Sequence, residues 1–208
     1  MKQQNIRHLS LAGLEEYFLN IGDKKFRAKQ VYDWLWVKPV QSFEAMTNLS
    51  KQLREKLQQD FTLPALQLDA IQQSEDGTIK SRFITIEGYK TEGVLIPTEE
   101  RKTACVSSQI GCSLSCKFCA TGYLERKRNL EFDEIFDEVA LINQQSLDAY
   151  GTKLTNIVFM GMGEPLLNYD NVLAGIAKIT GEDGLHISAK RITVSTAGLA
   201  KMIRKLAD

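Results

Sequence analysis

From about residue 103 onward, strand-like segments alternate with amphipathic ones, and this alternation restricts the fold more than any other feature of the sequence. Three segments are typical of short strands: KTACVSSQI, TNIVFMG and RITVSTAG. Each comes before a segment with helical spacing of its apolar residues: FDEIFDEVALINQQSLDAYG, NYDNVLAGIAKITG and LAKMIRKLAD. Strand–helix repeats of this kind form a parallel sheet joined by right-handed crossovers. The sequence therefore predicts an α/β region with three strand–helix units.

Residues 1–63 are predicted to be helical. Ser10 is a suitable N-cap for the first helix, and the second helix ends before Pro39. The third, LSKQLREKLQQDF, places Leu49, Leu53 and Leu57 four residues apart. The residues predicted to form the apolar faces of the first two helices are Leu11, Leu14, Phe18, Leu19, Phe26, Val31, Trp34 and Leu35.

The segment between these two regions has the pattern of a β-hairpin. In SRFITIEGYKTEGVLIP, Phe83, Thr85 and Glu87 alternate with Ile84 and Ile86 up to a turn near Gly88. A second apolar run follows the turn. We therefore predict three regions: a helical N-terminal domain over 1–63, a hairpin linker over 64–100, and an α/β region over 101–208.

Composition and charge restrict the function and the location of the chain. The formal net charge is zero, which argues against a strongly basic nucleic-acid scaffold but leaves room for a local basic patch. Residues 1–63 carry ten Lys and Arg against seven Asp and Glu, a surplus of 10 − 7 = +3. No apolar run approaches a membrane span and MKQQNIRHLS lacks a signal-peptide core. We expect a cytoplasmic protein without membrane association, whose cysteines stay reduced.

Three of the four cysteines, Cys112, Cys116 and Cys119, lie within GCSLSCKFC, directly after the first predicted strand. Thiolate is the soft ligand of zinc, copper(I) and iron–sulfur clusters. A structural zinc site needs four ligands, and Cys105 could be the fourth. A cluster of four irons held by three cysteines instead leaves one iron open to a substrate. The CxxxCxxC spacing favours this second interpretation, because a redox CxxC pair would not explain Cys112.

Two further motifs follow the second and third predicted strands. In NIVFMGMGEPLLN, glycines at a strand end allow a ligand to approach the backbone at Gly163, and Glu164 offers a carboxylate to an ammonium group. In TVSTAG, Ser195 and Thr196 follow the third strand, where they are either ligand contacts or a helix cap. Because ligands bind at the carboxyl ends of parallel strands, all three motifs are expected to lie together at that end of the sheet.

With its CxxxCxxC loop after a first strand and GMGEP after a second, the sequence resembles the radical S-adenosylmethionine superfamily. The resemblance implies a partial (β/α)6 barrel, incomplete here. It also implies a [4Fe-4S] cluster on Cys112, Cys116 and Cys119, whose open iron chelates S-adenosylmethionine. One electron then splits the sulfonium to give a 5′-deoxyadenosyl radical. Gly163, Glu164 and Ser195 would bind S-adenosylmethionine.

Taken together, CVSSQIGCSLSCKFCATG, GMGEPLLN, TVSTAG and the upstream FRAKQVYDWLW resemble the dual-specificity RNA methyltransferases that act on adenine C2. The family's substrates are 23S rRNA and certain tRNAs. A cysteine near its C-terminus carries the methyl group, the radical converts that group into a methylene that adds to the ring, and a second cysteine resolves the adduct, ending in a disulfide. The resemblance assigns this second role to Cys105 and the role of proton acceptor to Glu92. The alternative for Glu92 is a solvated hairpin carboxylate, and for Cys105 an inert strand cysteine.

The sequence departs from this family in one respect, since no cysteine follows the third strand–helix unit. We therefore expect a truncated chain that is inactive alone and, when full length, a monomer that receives electrons from a flavodoxin or ferredoxin. Three alternatives stay open: the related methyltransferase that acts on adenine C8 and confers antibiotic resistance, another radical enzyme, and a zinc-binding RNA module.

Basic residues in two places are candidates for contacts with RNA phosphates. The first group lies in the N-terminal helices, where a solvated helix face is the alternative. The second group directly follows the cysteine motif. The candidates are Lys24, Lys25, Arg27, Lys29, Arg126, Lys127 and Arg128.

Overall fold

The computed structural model describes residues 3–207, which form two compact units. One unit contains the residues up to Ala65 together with Glu182–Leu185, and the other contains Leu66–Gly181 and the residues from His186 onward. The helices are α1 (Leu11–Asn20), α2 (Phe26–Trp36), α3 (Lys51–Asp60), α4 (Phe132–Tyr150), α5 (Tyr169–Thr180) and α6 (Ala200–Ala207). The strands are β1 (Gln4–Asn5), β2 (Phe61–Thr62), β3 (Gln67–Gln73), β4 (Ile79–Ile84), β5 (Lys90–Pro97), β6 (Lys102–Cys105), β7 (Gln109–Ile110), β8 (Arg128–Asn129), β9 (Asn156–Phe159) and β10 (Ile192–Val194).

The first unit is built from α1, α2 and α3, as predicted. Ser10 caps α1 by accepting a hydrogen bond from the backbone N–H of Gly13 at 3.1 Å, and Ser50 caps α3 in the same way. Strands β1 and β2 pair in parallel and join the two ends of the unit. The buried residues of α3, Leu53 and Leu57, are those the four-residue spacing predicted.

The predicted apolar faces of α1 and α2 were wrong at three positions. Leu19 is 60% exposed and Phe26 is 51% exposed, and Trp34 is only half-buried. Trp36 is fully buried instead. Because an α-helix completes a turn every 3.6 residues, Trp36 lies one turn after the buried Tyr32, whereas Trp34 lies on a different side of the helix.

The second unit contains a six-stranded sheet in the order β10-β9-β6-β5-β4-β3. Strands β6, β9 and β10 are parallel, which confirms the three predicted strand–helix units. The remaining pairs are antiparallel. Over residues 3–207 this sheet stays open rather than closing into a barrel.

The hairpin predicted between the helical domain and the α/β region is present, with its turn at Gly88, whose φ is +85°. It pairs directly with β6, so it forms one continuous sheet with the parallel strands. The sequence did not predict β3, the strand that pairs with β4 on the outer side. Six of the seven residues of β3 are exposed, so it lacks the alternation that marks a half-buried strand.

Helix α4 covers one face of the sheet. Its apolar residues Ile135, Phe136, Val139 and Ile142 are fully buried, and Gly151 ends the helix with a left-handed φ of +67°. A side chain at Gly93 of β5 would meet the Ile142 side chain at 2.8 Å, so this strand lies close to the helix. No helix within residues 3–207 is long and apolar enough to cross a membrane.

Candidate active site

The ends of the three parallel strands bring the predicted motifs together. Strand β6 leads into residues 106–110 and then the cysteine loop, β9 leads into GMGEP, and β10 leads into Ser195 and Thr196. Because the three strands are parallel and adjacent, all three segments lie at the same end of the sheet, beyond the carboxyl ends of the strands. Side chains from these segments then connect them to one another by hydrogen bonds.

Ser107 connects the end of β6 to its neighbours on both sides. Its hydroxyl donates a hydrogen bond to the backbone oxygen of Glu92 at 2.6 Å and accepts one from the backbone N–H of Met162 at 2.9 Å. A Cβ atom at Gly161 would lie 2.7 Å from this hydroxyl. The loop after β9 therefore needs glycine here because its backbone lies directly on Ser107.

Gln109 connects the GMGEP loop to the base of the cysteine loop. Its side-chain oxygen accepts a hydrogen bond from the N–H of Glu164 at 3.0 Å, and its side-chain nitrogen donates one to Asn129 at 2.7 Å. Gly163, with a φ of +91°, packs so closely on Gln109 that a Cβ atom would lie 2.5 Å from the Gln109 Cβ. One buried side chain thus fixes the two predicted motifs to each other.

Glu164 joins the second motif to the third. It is buried, and its two carboxylate oxygens accept hydrogen bonds from the backbone N–H groups of Leu166 at 3.0 Å and Ala197 at 2.7 Å. The half-buried Ser195 lies two residues before Ala197. A carboxylate has about four lone-pair sites, so each oxygen retains capacity for a further donor such as an ammonium group.

The cysteine loop is closed at its base by the antiparallel pair of β7 and β8. Lys127 donates its N–H to the backbone oxygen of Ile110 at 2.8 Å. A Cβ atom at Gly111, whose φ is +75°, would collide with the backbone oxygen of Glu125. The loop can therefore enter and leave at this narrow point only with glycine at position 111.

All four cysteines of the chain are free thiols, and each is half-buried. No disulfide joins any of the described residues, and the methyl-carrying cysteine with which Cys105 was expected to pair is not among the four in this sequence. Backbone N–H groups, first that of Gly122, lower the pKa of Cys119. Across residues 3–207 no three His, Cys, Asp or Glu side chains are gathered in a way that could hold a metal ion. The donor chemistry still fits an iron–sulfur cluster, since the loop offers three soft sulfur donors and the lowered pKa of Cys119 favours the thiolate that ligation requires.

The register of the sheet brings the two remaining predicted residues, Cys105 and Glu92, to one face. Cys105 pairs with Val94 of β5, and Glu92 lies two residues from Val94, so both point away from α4. Burial raises the pKa of the Cys105 thiol. Glu92 forms an ion pair with Lys80 at 2.9 Å, with both side chains partly exposed.

The site also contains a buried acid that the sequence did not single out. Glu138 of α4 is fully buried, and its carboxylate oxygens accept hydrogen bonds from the Ser107 N–H at 2.7 Å and the Thr91 hydroxyl at 2.8 Å. Burial raises its pKa to about 8. The helical spacing of FDEIFDEVALINQQ gave no signal for this contact, because charged residues of an amphipathic helix are expected on the solvent side.

The three basic residues after the cysteine motif differ in their surroundings. Arg126 and Lys127 are exposed, although Lys127 pairs with Glu125 at 2.5 Å. Arg128 instead makes two hydrogen bonds to the Glu134 carboxylate, at 2.6 and 2.7 Å, and one to Glu87 at 2.7 Å. Arg128 is thus engaged in the fold, which leaves Arg126 and Lys127 as the candidates for RNA.

The N-terminal basic group is partly neutralised within its own unit. Lys25 pairs with Glu15 at 3.0 Å and Lys29 with Asp33 at 2.6 Å. Lys29 also lines a groove of about 330 Å³ whose other residues are Gln30, Asp33, Trp34, Val37, Lys38 and Asn48. A role for this group in RNA contact stays a prediction.

Comparison with known families gives two matches. Residues 4–63 match the family described as "Ribosomal RNA large subunit methyltransferase N-terminal domain". Residues 106–208 match the radical SAM superfamily.

Individual relatives are similar to this chain over its whole length. A probable dual-specificity RNA methyltransferase RlmN of Cytophaga hutchinsonii is 58% identical over 208 residues, which cover 100% of this chain and 57% of the relative. The dual-specificity RNA methyltransferase RlmN of Geotalea uraniireducens is 40% identical over 99% of this chain and 58% of its own length. The crystal structure of a radical SAM methyltransferase from Sphaerobacter thermophilus superposes with a TM-score of 0.88 at 40% identity, covering 98% of this chain and 60% of that one. The chain thus spans about 60% of the length of these relatives.

Proposed function

Because the chain belongs to the radical SAM superfamily and carries the N-terminal domain of RlmN-type methyltransferases, we propose that it supplies the cofactor-binding part of an RNA methyltransferase. The reaction would place a methyl group on C2 of an adenine in 23S rRNA and in certain tRNAs, with flavodoxin or ferredoxin as electron donor. The observation that carries the proposal is the junction at Gln109. This side chain joins GMGEP to the base of the cysteine loop, so a cluster ligand set and a cofactor loop are held side by side.

In this proposal Cys112, Cys116 and Cys119 would hold the [4Fe-4S] cluster. Gly163, Glu164 and Ser195 would face S-adenosylmethionine. Together the bound groups supply radical chemistry, which adenine C2 requires because an electron-poor ring carbon has no nucleophilicity for ordinary methyl transfer. The protein's own contribution at this end of the sheet is to hold the cysteine loop and the GMGEP loop in place. The hydrogen bonds of Ser107, Gln109 and Glu164 provide this support.

Cys105 and Glu92 would act on the RNA rather than on the cofactor. Cys105 would resolve the covalent adduct between RNA and a methyl-carrying cysteine, and Glu92 would accept the proton that leaves the ring. The supporting observation is that both side chains lie on the same face of neighbouring strands. The raised pKa of Cys105 keeps it a protonated thiol at neutral pH until it reacts.

We expect this chain alone to transfer no methyl group to RNA, because none of its cysteines lies beyond Cys119 to carry the methyl. A chimera that continues after Asp208 with the remaining C-terminal residues of the Cytophaga hutchinsonii relative is expected to restore transfer. The measurement is incorporation of labelled methyl from S-adenosylmethionine into 23S rRNA after anaerobic cluster reconstitution. Labelled RNA from the chain alone would contradict the expectation, and an iron-loaded chimera without activity would contradict the proposed function.

Arg126 and Lys127 are expected to contact RNA phosphates. Changing both to glutamine should weaken binding and reduce the slope of log K against log salt by about 1.5, since each phosphate contact contributes about 0.7 to 0.9. Arg128 stays unchanged because it supports the fold. The matched control replaces Lys153 and Lys190 with glutamine. These exposed residues precede β9 and β10 and so lie at the opposite end of the strands. An equal slope for the double variant and the unchanged chain would refute the contact.

A further inference from the structure

The buried carboxyl of Glu138 accepts a hydrogen bond from the backbone N–H of Ser107, and the Ser107 hydroxyl extends this network where β5, β6 and the loop after β9 meet. Glu138 accepts from the Ser107 N–H and from the Thr91 hydroxyl, at 2.7 and 2.8 Å. The Ser107 hydroxyl then bonds the backbone of Glu92 and of Met162. Helix α4 is thereby connected to the ends of β5 and β6 and to the loop after β9.

Both hydrogen-bond partners of Glu138 lie close in the chain to a residue that is expected to act on RNA. Thr91 directly precedes Glu92, and Ser107 lies two residues after Cys105. Thr91 faces α4, so the alternation of the strand turns Glu92 to the opposite face, which it shares with Cys105. Each hydrogen bond of Glu138 therefore fixes the backbone beside one of the two residues expected to act on RNA.

Glu138 is costly to bury, and within residues 3–207 its hydrogen-bond partners include no cation. The neighbouring acid Glu134, on the same helix, raises the pKa of Glu138 further. An apolar residue of similar size would avoid the desolvation cost. Hydrogen bonding to two strands at once is what an apolar residue could not provide.

We propose that Ser107 and Glu138 are positioning residues that hold Cys105, Glu92 and the GMGEP loop in one fixed arrangement. They act through hydrogen bonds and touch neither the cofactor nor the RNA. The inference rests on the proposed function for the roles of Cys105 and Glu92, but the positioning itself is a property of the fold.

The test uses four variants in the 208-residue chain and in the chimera. Ser107→Ala removes the two hydrogen bonds of the Ser107 hydroxyl, and Glu138→Leu removes both hydrogen bonds of the Glu138 carboxylate. Glu138→Gln retains one acceptor for the Ser107 N–H and can donate to the Thr91 oxygen, so it should rescue the function. The matched control is Ser146→Ala, which removes the hydroxyl of another fully buried serine, one that donates to the Thr152 oxygen at 2.7 Å on the C-terminal part of α4.

The first readout is the rate at which iodoacetamide alkylates Cys105, followed on its own peptide by mass spectrometry. Ser107→Ala and Glu138→Leu should raise this rate about threefold or more, because the strand ends open locally. Glu138→Gln and Ser146→Ala should leave it near the original rate. Equal rates in all variants, or the same increase in Ser146→Ala, would overturn the proposal.

The second readout is methyl transfer by the chimera. Ser107→Ala and Glu138→Leu should lower kcat by about 10- to 100-fold and leave the KM for RNA nearly unchanged, since small displacements of reacting groups are this costly. Unchanged kcat in both variants would overturn the proposal. If the unsubstituted chimera has no activity, the proposed function fails by itself, and the alkylation rates still decide whether Ser107 and Glu138 position Cys105.

Discussion

Replacing Cys112 with alanine is expected to prevent assembly of the proposed iron–sulfur cluster. After anaerobic reconstitution the unchanged chain should contain roughly four irons and absorb in the visible range as a [4Fe-4S] protein. With two thiolates left, the cluster has too few ligands and should be lost. The measurement is iron content per chain together with the absorption spectrum, repeated for Cys116→Ala and Cys119→Ala.

Cys105→Ala is the matched control, because it removes a thiol from the same chain without touching the cysteine loop. It should bind as much iron as the unchanged chain. Loss of iron in Cys105→Ala would instead make Cys105 the fourth ligand of a closed site, and a colourless chain that binds one zinc would favour the structural alternative.

Gly163→Ala is expected to destabilise the second unit and to weaken binding of S-adenosylmethionine by the reconstituted chain. At a φ of +91° an L-residue costs about 1 kcal/mol. The new Cβ would also lie 2.5 Å from the Gln109 Cβ, and such overpacking costs about 1–3 kcal/mol more. The free energy of unfolding in urea and the dissociation constant for S-adenosylmethionine would measure the two effects.

Gly88→Ala separates conformational strain from crowding. Gly88 has a similar φ of +85°, but apart from its two chain neighbours no described residue has an atom within 4 Å of the position that a Cβ would take there. It should lose only about 1 kcal/mol of stability and bind S-adenosylmethionine normally. Equal losses for both glycine variants would show that Gln109 does not pack against the GMGEP loop as described.

The sequence predicts the second unit well where a periodic pattern was strong. The helix α4 follows directly from the apolar spacing and from Gly151 at its end, and strand β9 follows from its short apolar run. Strand β3 was not predictable in this way, because nearly all its side chains are exposed and pairing with β4 holds it in place. Trp34 was placed wrongly because the predicted face followed Val31 and Leu35, whereas the buried side of α2 also includes Tyr32 and Trp36.

The parts of the candidate site that could be predicted are those whose residue types have a characteristic chemistry or conformation. The thiols of Cys112, Cys116 and Cys119 and the glycines of GMGEP indicate a ligand-binding site from the sequence alone. Ser107, Gln109 and Glu138 are common residues whose importance comes from contacts between segments up to 55 residues apart. Such contacts depend on the assembled sheet, so a single sequence does not reveal them.

The most direct test of the whole account is to identify the modified base made by the chimera. After reaction with 23S rRNA, mass spectrometry of the nucleosides should find methyl on C2 of adenine. The Cys105→Ala chimera should release no methylated adenine and should retain RNA bound covalently to protein. Methyl on C8, or normal product from Cys105→Ala, would contradict the account.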